Sequence, residues 1–366
     1  MMAGSILLID DKSDLLDELR QAIEERLKAG EADVIAWRPT DGTNPKSEFD
    51  RLRRENDLRL VVTDADLTEG RLGLFGAAVV EWCQSEAIPV GDFSRGDAGA
   101  LPKEPNLFEL RVPVASNEEA ASYVVALYRG FETIRSAIAQ DASLASRRSP
   151  ASALAALLGA KNDESQFAQY GTRYGGANSA LIDRLAATAP KDKKPTDRDR
   201  KAMLSYIMGH LLLNAVLRFP GPIINRNALV AYLAVDISEH VHVEPLFEAA
   251  RYSGPFNELG PYFWTSKVDA ILANFEKQLP ANQQSETPGE MNRNSVEWKL
   301  GRKLARPQHC ERCHGKNGGF FCPFTSRTVC QLPDCSVVSN QWIPQGARLC
   351  RIEREFYDEW SPILGM

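Results

Sequence analysis

Ser5-Ile6-Leu7-Leu8-Ile9-Asp10-Asp11 opens the chain with an apolar run that ends in two adjacent carboxylates. Leu58-Arg59-Leu60-Val61-Val62-Thr63-Asp64 repeats the pattern, again closing on an acid. Short apolar runs bounded by polar residues read as buried strands of a parallel sheet. In an open parallel sheet the strand C-termini meet along one edge, and ligands bind there. Asp10, Asp11 and Asp64 are therefore expected to converge on one small pocket. Three carboxylates that close cannot all ionise cheaply without a cation. An all-oxygen site of this kind suits Mg2+, which keeps several waters and takes one or two carboxylates.

Helical patterns separate the strands. Lys12-Ser13-Asp14 leads into a helix with Leu15, Leu16, Leu19, Ile23 and Leu27 on one face, and Ser13 is placed to cap it. Ala32 to Trp37 reads as a strand, Lys46 to Asn56 as a solvated helix, and Leu72 to Ser85 as a third helix after the turn at Gly70. Ile88-Pro89-Val90-Gly91-Asp92-Phe93-Ser94 and Phe108-Glu109-Leu110-Arg111-Val112-Pro113 supply two further strands. Between them, Arg95 to Asn106 carries two glycines and two prolines, a loop composition. Strands alternating with helices predict an α/β domain built on a doubly wound, five-stranded parallel sheet.

These residues resemble the receiver domain of two-component response regulators, over about the first third of the chain. The resemblance implies a flavodoxin-like fold. It implies that Asp10 and Asp11 hold Mg2+, with the backbone carbonyl of Asp66 as a third ligand. It implies that Asp64 takes a phosphoryl group from a histidine kinase or phosphotransfer protein, and that Ser94 contacts that group. Receivers place Lys directly before Pro after the fifth strand. Here the nearest cation is Arg111, one step out of register. The loop composition of Arg95 to Asn106, where receivers place a fourth helix, is a second departure.

The next helix opens with a capping box, Ser116 with Glu119, and continues through Phe131, Ile134 and Ile138. That is several turns more than a compact receiver needs. Its apolar stripe over 116–140 is expected either to form a stalk or homodimer seam for a protein partner, or to pack on the following domain. Residues 1–144 are thus read as the receiver-like domain. Residues 145–279 read as an all-helical domain, with its strongest helix running from Thr196 to the stop at Pro220-Gly221-Pro222. His210 lies on the buried side of that helix. His240-Val241-His242 can pair as ligands on a strand, or simply be exposed. Residues 280–294 are polar and read as a flexible boundary.

The chain carries seven cysteines, and six of them fall between Cys310 and Cys350. Met1-Met2-Ala3-Gly4 shows no basic leader, so clustered thiols read as a metal site before disulfides, in a cytoplasmic protein. Cys310-Glu311-Arg312-Cys313 is a Cys-x2-Cys knuckle, and Cys330 and Cys335 form a second pair across a Gly-rich loop. That layout is a closed four-thiolate Zn2+ site within a Cys-rich lobe over 295–366. His309, His314 and Cys322 are close enough to substitute for one ligand or to build a second site. A helix over Ala347 to Trp360 is expected to end the lobe.

Hydrophobic residues make up 43% and charged residues 25%, an ordinary globular balance, and the longest apolar run is too short to span a bilayer. Net charge is −6, so any nucleic-acid surface must be local. One local patch exists: basic residues from Arg293 to Arg327 interleave with Trp298, Phe320, Phe321 and Phe324 around the zinc lobe. Three functions compete. The first is a response-regulator-like signalling protein, in which a phosphoacceptor or pseudo-receiver controls the helical and zinc regions. The second is a phosphatase, because Asp64-Ala65-Asp66-Leu67-Thr68 also resembles the nucleophile motif of haloacid-dehalogenase phosphatases, with Gly91-Asp92 and Asp97 mimicking their distal metal motif. The third is a zinc-dependent nucleic-acid-binding regulator.

Overall fold

Gly4–Ile9 (β1) is buried along its whole length because it lies between two parallel neighbours, β2 (Ala32–Trp37) and β3 (Leu58–Asp64). β4 (Val90–Phe93) pairs in parallel with β3, and β5 (Leu110–Arg111) with β4. The sheet is five-stranded, in the order β2-β1-β3-β4-β5. Interior strands covered on both faces need apolar side chains at every position, which is why β1 and β3 read as continuous runs rather than alternating ones. The computed structural model describes residues 4–40, 44–70, 73–93, 110–113, 116–147, 149–168, 196–218, 220–285, 287–306, 309–315, 320–322, 325, 327–338 and 351–357. They form two compact units. The first gathers described residues within 1–100, 106–153 and 178–210, and the second those within 154–177 and 211–366. The stretch expected as one helical domain, 145–279, therefore contributes to both.

In the first unit, helices cover both faces of the sheet. Leu7, Ile9 and Val61 pack with Phe49 of α2 (Pro45–Glu55) and Val79 of α3 (Gly76–Ser85). The alternate residues Ile6, Leu8, Leu60 and Val62 are fully buried on the other face, toward α1 (Ser13–Glu24) and α4 (Asn117–Gln140). Asn44 caps α2 by accepting from the Ser47 N–H, and Ser116 caps α4 by accepting from Glu119 N–H at 3.1 Å, as its capping box predicts. Ser13 does not cap α1. The helix starts on it, Lys12 takes the cap position, and the Ser13 hydroxyl donates to Asp14. α3 starts four residues later than expected. Asp66 bridges Phe75, and the Gly76 N–H donates to the Ala65 carbonyl at 3.0 Å, so Phe75 is held beside the end of β3 and the helix begins only at Gly76.

The apolar stripe of α4 is buried within its own unit, with Val124, Leu127, Phe131 and Ile134 at most 1% exposed. Phe131 stacks near His210 of α5 (Asp197–Leu211), ring centroids 5.1 Å apart, and the same ring fills the space beside Gly209. The stripe read as a homodimer seam is thus covered by the chain itself. His210 is a core residue, fully buried, with Nδ1 2.8 Å from the Tyr206 carbonyl oxygen.

In the second unit, β6 (Ile223–Asn225) and β7 (Tyr262–Trp264) form a short antiparallel pair. Around it pack α6 (Arg226–Tyr232), α7 (Thr265–Glu276) and α8 (Pro288–Leu300). Their core includes Leu229, Phe247, Phe263, Val268 and Val296. Two expectations are corrected here. Residues 280–294 are not a plain linker: α8 begins at Pro288, and its Val296 joins the core of the preceding helices. His240 and His242 sit on a helical turn, His240–Val243, not on a strand, so they do not share a face.

Among the described residues, the C-terminal lobe contains two small antiparallel pairs. β8 (Phe320–Phe321) pairs with β9 (Thr328–Val329), and β10 (Ser336–Val337) with β11 (Ile352–Glu353). Ile352 and Glu353 are strand where helix was expected, because they supply the partner that β10 needs.

Candidate acidic and thiolate sites

β1 and β3 run side by side with Ile9 opposite Thr63, so the residues that follow them, Asp10 and Asp64, meet at the same edge. Carboxylate oxygens of Asp10, Asp11 and Asp64 lie within 4.8 Å of one another. This edge is where the sheet order reverses direction about β1 and β3, the position at which open α/β sheets bind ligands.

Backbone donors hold each acid in place. Asp10 Oδ1 accepts from the Lys12 N–H and Asp64 Oδ1 from the Ala65 N–H, both at 2.8 Å. Asp11 Oδ2 accepts from the Glu69 and Gly70 N–H groups at 2.8 and 3.0 Å. Asp11 is 3% exposed, and its Oδ1 is buried with no hydrogen-bond partner in the protein. A buried acceptor without a donor is costly, and a cation removes that cost. Burial raises the Asp10 pKa, the Lys12 N–H opposes the rise, and the charges of Asp64 and Asp11 add to it. These features fit a hard, oxygen-liganded divalent ion such as Mg2+.

Asp66 is exposed, and its Oδ1 accepts from the Thr68 N–H at 3.0 Å and the Thr68 hydroxyl at 2.6 Å. Its carboxylate is thus engaged by the local turn. Arg111 lies on β5, opposite Asp92 in the register. Ser94 and Asp97 lie outside the described residues.

The thiolate site is compact. Sγ atoms of Cys310, Cys313, Cys330 and Cys335 lie within 4.8 Å of one another, and Cys313 and Cys330 are 3.9 Å apart. The knuckle closes by the His314 N–H donating to the Cys310 carbonyl at 2.8 Å and the Cys310 N–H to the Gly315 carbonyl at 2.9 Å. His314 takes a left-handed conformation (φ 54°) to make that turn. Burial alone would raise the Cys310 thiol, but the backbone N–H groups of Cys313, Arg312 and Cys330 bring it down to about 7. Burial raises Cys330 and Cys335. None of the described cysteines is in a disulfide. Four convergent sulfurs can hold a metal such as Zn2+. His309, His314 and Cys322 are not part of the cluster. Cys322 is buried elsewhere in the lobe, where its sulfur accepts from the Glu353 N–H at 3.3 Å.

Four of the described basic residues around this lobe pair with buried carboxylates. Arg302 pairs with buried Glu239 at 3.2 Å and Lys303 with buried Glu297 at 2.6 Å. Arg312 and Arg327 flank buried Glu353 at 3.6 and 3.2 Å. Arg293 is itself buried, 4% exposed. Sequence reasoning missed these three buried glutamates. Their partners lie 6 to 63 positions away, and nothing local marks them as buried.

No protein-family model, curated protein or solved structure matches this chain. Among the described residues, no helix is long and apolar enough to cross a membrane.

Proposed function

We propose that the N-terminal unit is a receiver-like signalling switch and that the Cys-rich lobe is a structural zinc module attached to it. The observation that carries the reading is the meeting of Asp10, Asp11 and Asp64 at the C-terminal edge of β1 and β3. The strand order β2-β1-β3-β4-β5 is that of flavodoxin-like sheets, and it supports the same reading. In this role Asp10 and Asp11 hold Mg2+ and Asp64 is the phosphoacceptor. An Asp64 oxygen attacks the phosphorus of a phosphohistidine on a kinase or phosphotransfer protein. The P–N bond breaks, and the imidazole nitrogen keeps the electron pair. Mg2+ held by Asp10 and Asp11 would supply charge compensation for that transfer. Arg111 is the stand-in for the receiver lysine and Ser94 the hydroxyl contact. Such proteins work in the cytoplasm.

The phosphatase reading needs the Asp66 carboxylate to exchange protons with substrate, and its engagement by Thr68 weighs against that role. The nucleic-acid reading needs positive charge that the protein does not itself neutralise, and the pairing of Arg302, Lys303, Arg312 and Arg327 with glutamates weighs against it. The test is beryllofluoride with Mg2+, a mimic of the aspartyl phosphate, on the wild-type chain and on Asp64→Ala. A rise in thermal stability or a change in oligomeric state in the wild type alone supports the switch. Equal responses, or none, reject it.

A further inference from the structure

Beside the acid cluster opens a pocket of about 390 Å³. That volume falls within the range of about 300–1,000 Å³ typical of small-molecule sites. Its lining is divided by chemistry. Leu16 and Leu19 of α1, with Leu8 beneath them and Phe93 at the end of β4, supply an apolar surface. Asp10 and Asp64 supply two carboxylates, and Leu15, 42% exposed, stands where the pocket meets solvent. No described lining residue is cationic. Lys12, next to the acids in sequence, is not among the lining residues; its ammonium lies 3.8 Å from Glu69 and its charge also acts on Asp10.

This combination selects a ligand. Asp10 and Asp64 line the pocket and Asp11 lies against them, so without metal the pocket favours a cation that lets these acids ionise. Without metal an anionic head would meet repulsion there, and a purely apolar ligand would add no charge partner for the carboxylates. A metal ion alone leaves the leucine surface unused. We propose that this pocket binds a small organic ammonium, its charged head on Asp10 and Asp64 and its apolar body against Leu16, Leu19 and Phe93. The head would compete with a metal ion for the same oxygens, so occupancy by the amine reports a chemical signal distinct from a phosphoryl group. The inference goes beyond the signalling reading and stands without phosphoryl transfer.

The experiment uses three probes of similar shape: 2-phenylethylamine, 2-phenylethanol and 3-phenylpropionate. Each is titrated into the full chain in Mg2+-free buffer, by calorimetry and by thermal shift. The amine is expected to bind saturably and at least about tenfold tighter than the alcohol or the carboxylate, the margin of a charge-assisted hydrogen bond. Asp10→Asn should weaken it by a similar factor. Leu15→Lys changes an exposed side chain and leaves the core intact, and it should weaken the amine by placing a like charge at the mouth. Absence of saturable amine binding overturns the proposal, as does equal binding of the alcohol or carboxylate, or indifference to both variants. The beryllofluoride response on the same preparations separates the two ideas. Amine binding without it fails the signalling reading alone, and the response without amine binding fails this inference alone.

Discussion

The Gly70 N–H reaches the Asp11 carboxylate at 3.0 Å, and a Cβ at position 70 would lie 2.7 Å from the Asp11 Cβ and 2.6 Å from the Pro39 carbonyl oxygen. The loop after β3 can therefore hold Asp11 only because residue 70 has no side chain. Gly70→Ala is expected to cost about 1–3 kcal/mol of stability through overpacking. It should also lower divalent-metal affinity by about 10–100-fold through loss of the supporting shell. Chemical denaturation and Mg2+ titration measure the two effects, and an unchanged Mg2+ affinity would show that the Gly70 contact does not support a metal site.

Asp10 gives the acid cluster a pH signature. Its folded-state pKa is raised, chiefly by burial, so the folded chain holds its proton more tightly than the unfolded chain does. The associated stability is fully present below the ordinary carboxylate pKa of about 4 and is lost as pH rises through the raised value. Added Mg2+ should restore it, so metal-induced stabilisation should be small in acid and grow toward neutral pH. Asp10→Asn should flatten that growth in a thermal-shift series.

His210 works in the opposite sense. Full burial lowers its pKa from 6.5 to about 4, against the Tyr206 carbonyl, which pulls the other way. The unfolded chain binds the proton first, so stability present above pH 6.5 is lost as pH falls toward 4. The loss for one such group is on the order of 3 kcal/mol. His210→Phe should remove this component of the acid slope in urea unfolding across that window. A slope identical to wild type would mean that other groups carry it.

Gly209 makes the close approach of α5 to α4 possible. A Cβ there would fall 2.2 Å from Phe131 Cε1, and the Phe131 ring is itself 1% exposed. The ring cannot move aside without disturbing the core, so Gly209→Ala should destabilise by about 1–3 kcal/mol. A smaller partner, Phe131→Leu, should partly rescue Gly209→Ala, which a double-mutant cycle reads directly.

For the Cys-rich lobe, elemental analysis should find zinc in the wild type and in Cys322→Ser, His309→Ala and His314→Ala. It should find none in Cys313→Ser or Cys330→Ser. Removal of zinc by a chelator should expose residues 327–338 to protease, because a lobe this small has little core to hold it without its metal. Zinc loss in Cys322→Ser would place that thiol among the ligands.

Much of this protein was legible in its sequence. The runs ending at Asp10-Asp11 and Asp64 determined which strands are central and which residues close them, because a strand buried on both faces must be apolar throughout. The Cys-x2-Cys spacing likewise determined a knuckle, since ligand spacing is a local property. Only the tertiary structure decided what depends on partners distant in sequence. It showed that Asp11 keeps one unpartnered oxygen, that the α4 stripe is covered by α5, that Val296 ties residues 288–300 into the preceding core, and that the cations of the zinc lobe answer buried glutamates. A sequence records the period and chemistry of each segment. Burial and charge balance belong to pairs of segments, and they take a value only when folding brings those segments together.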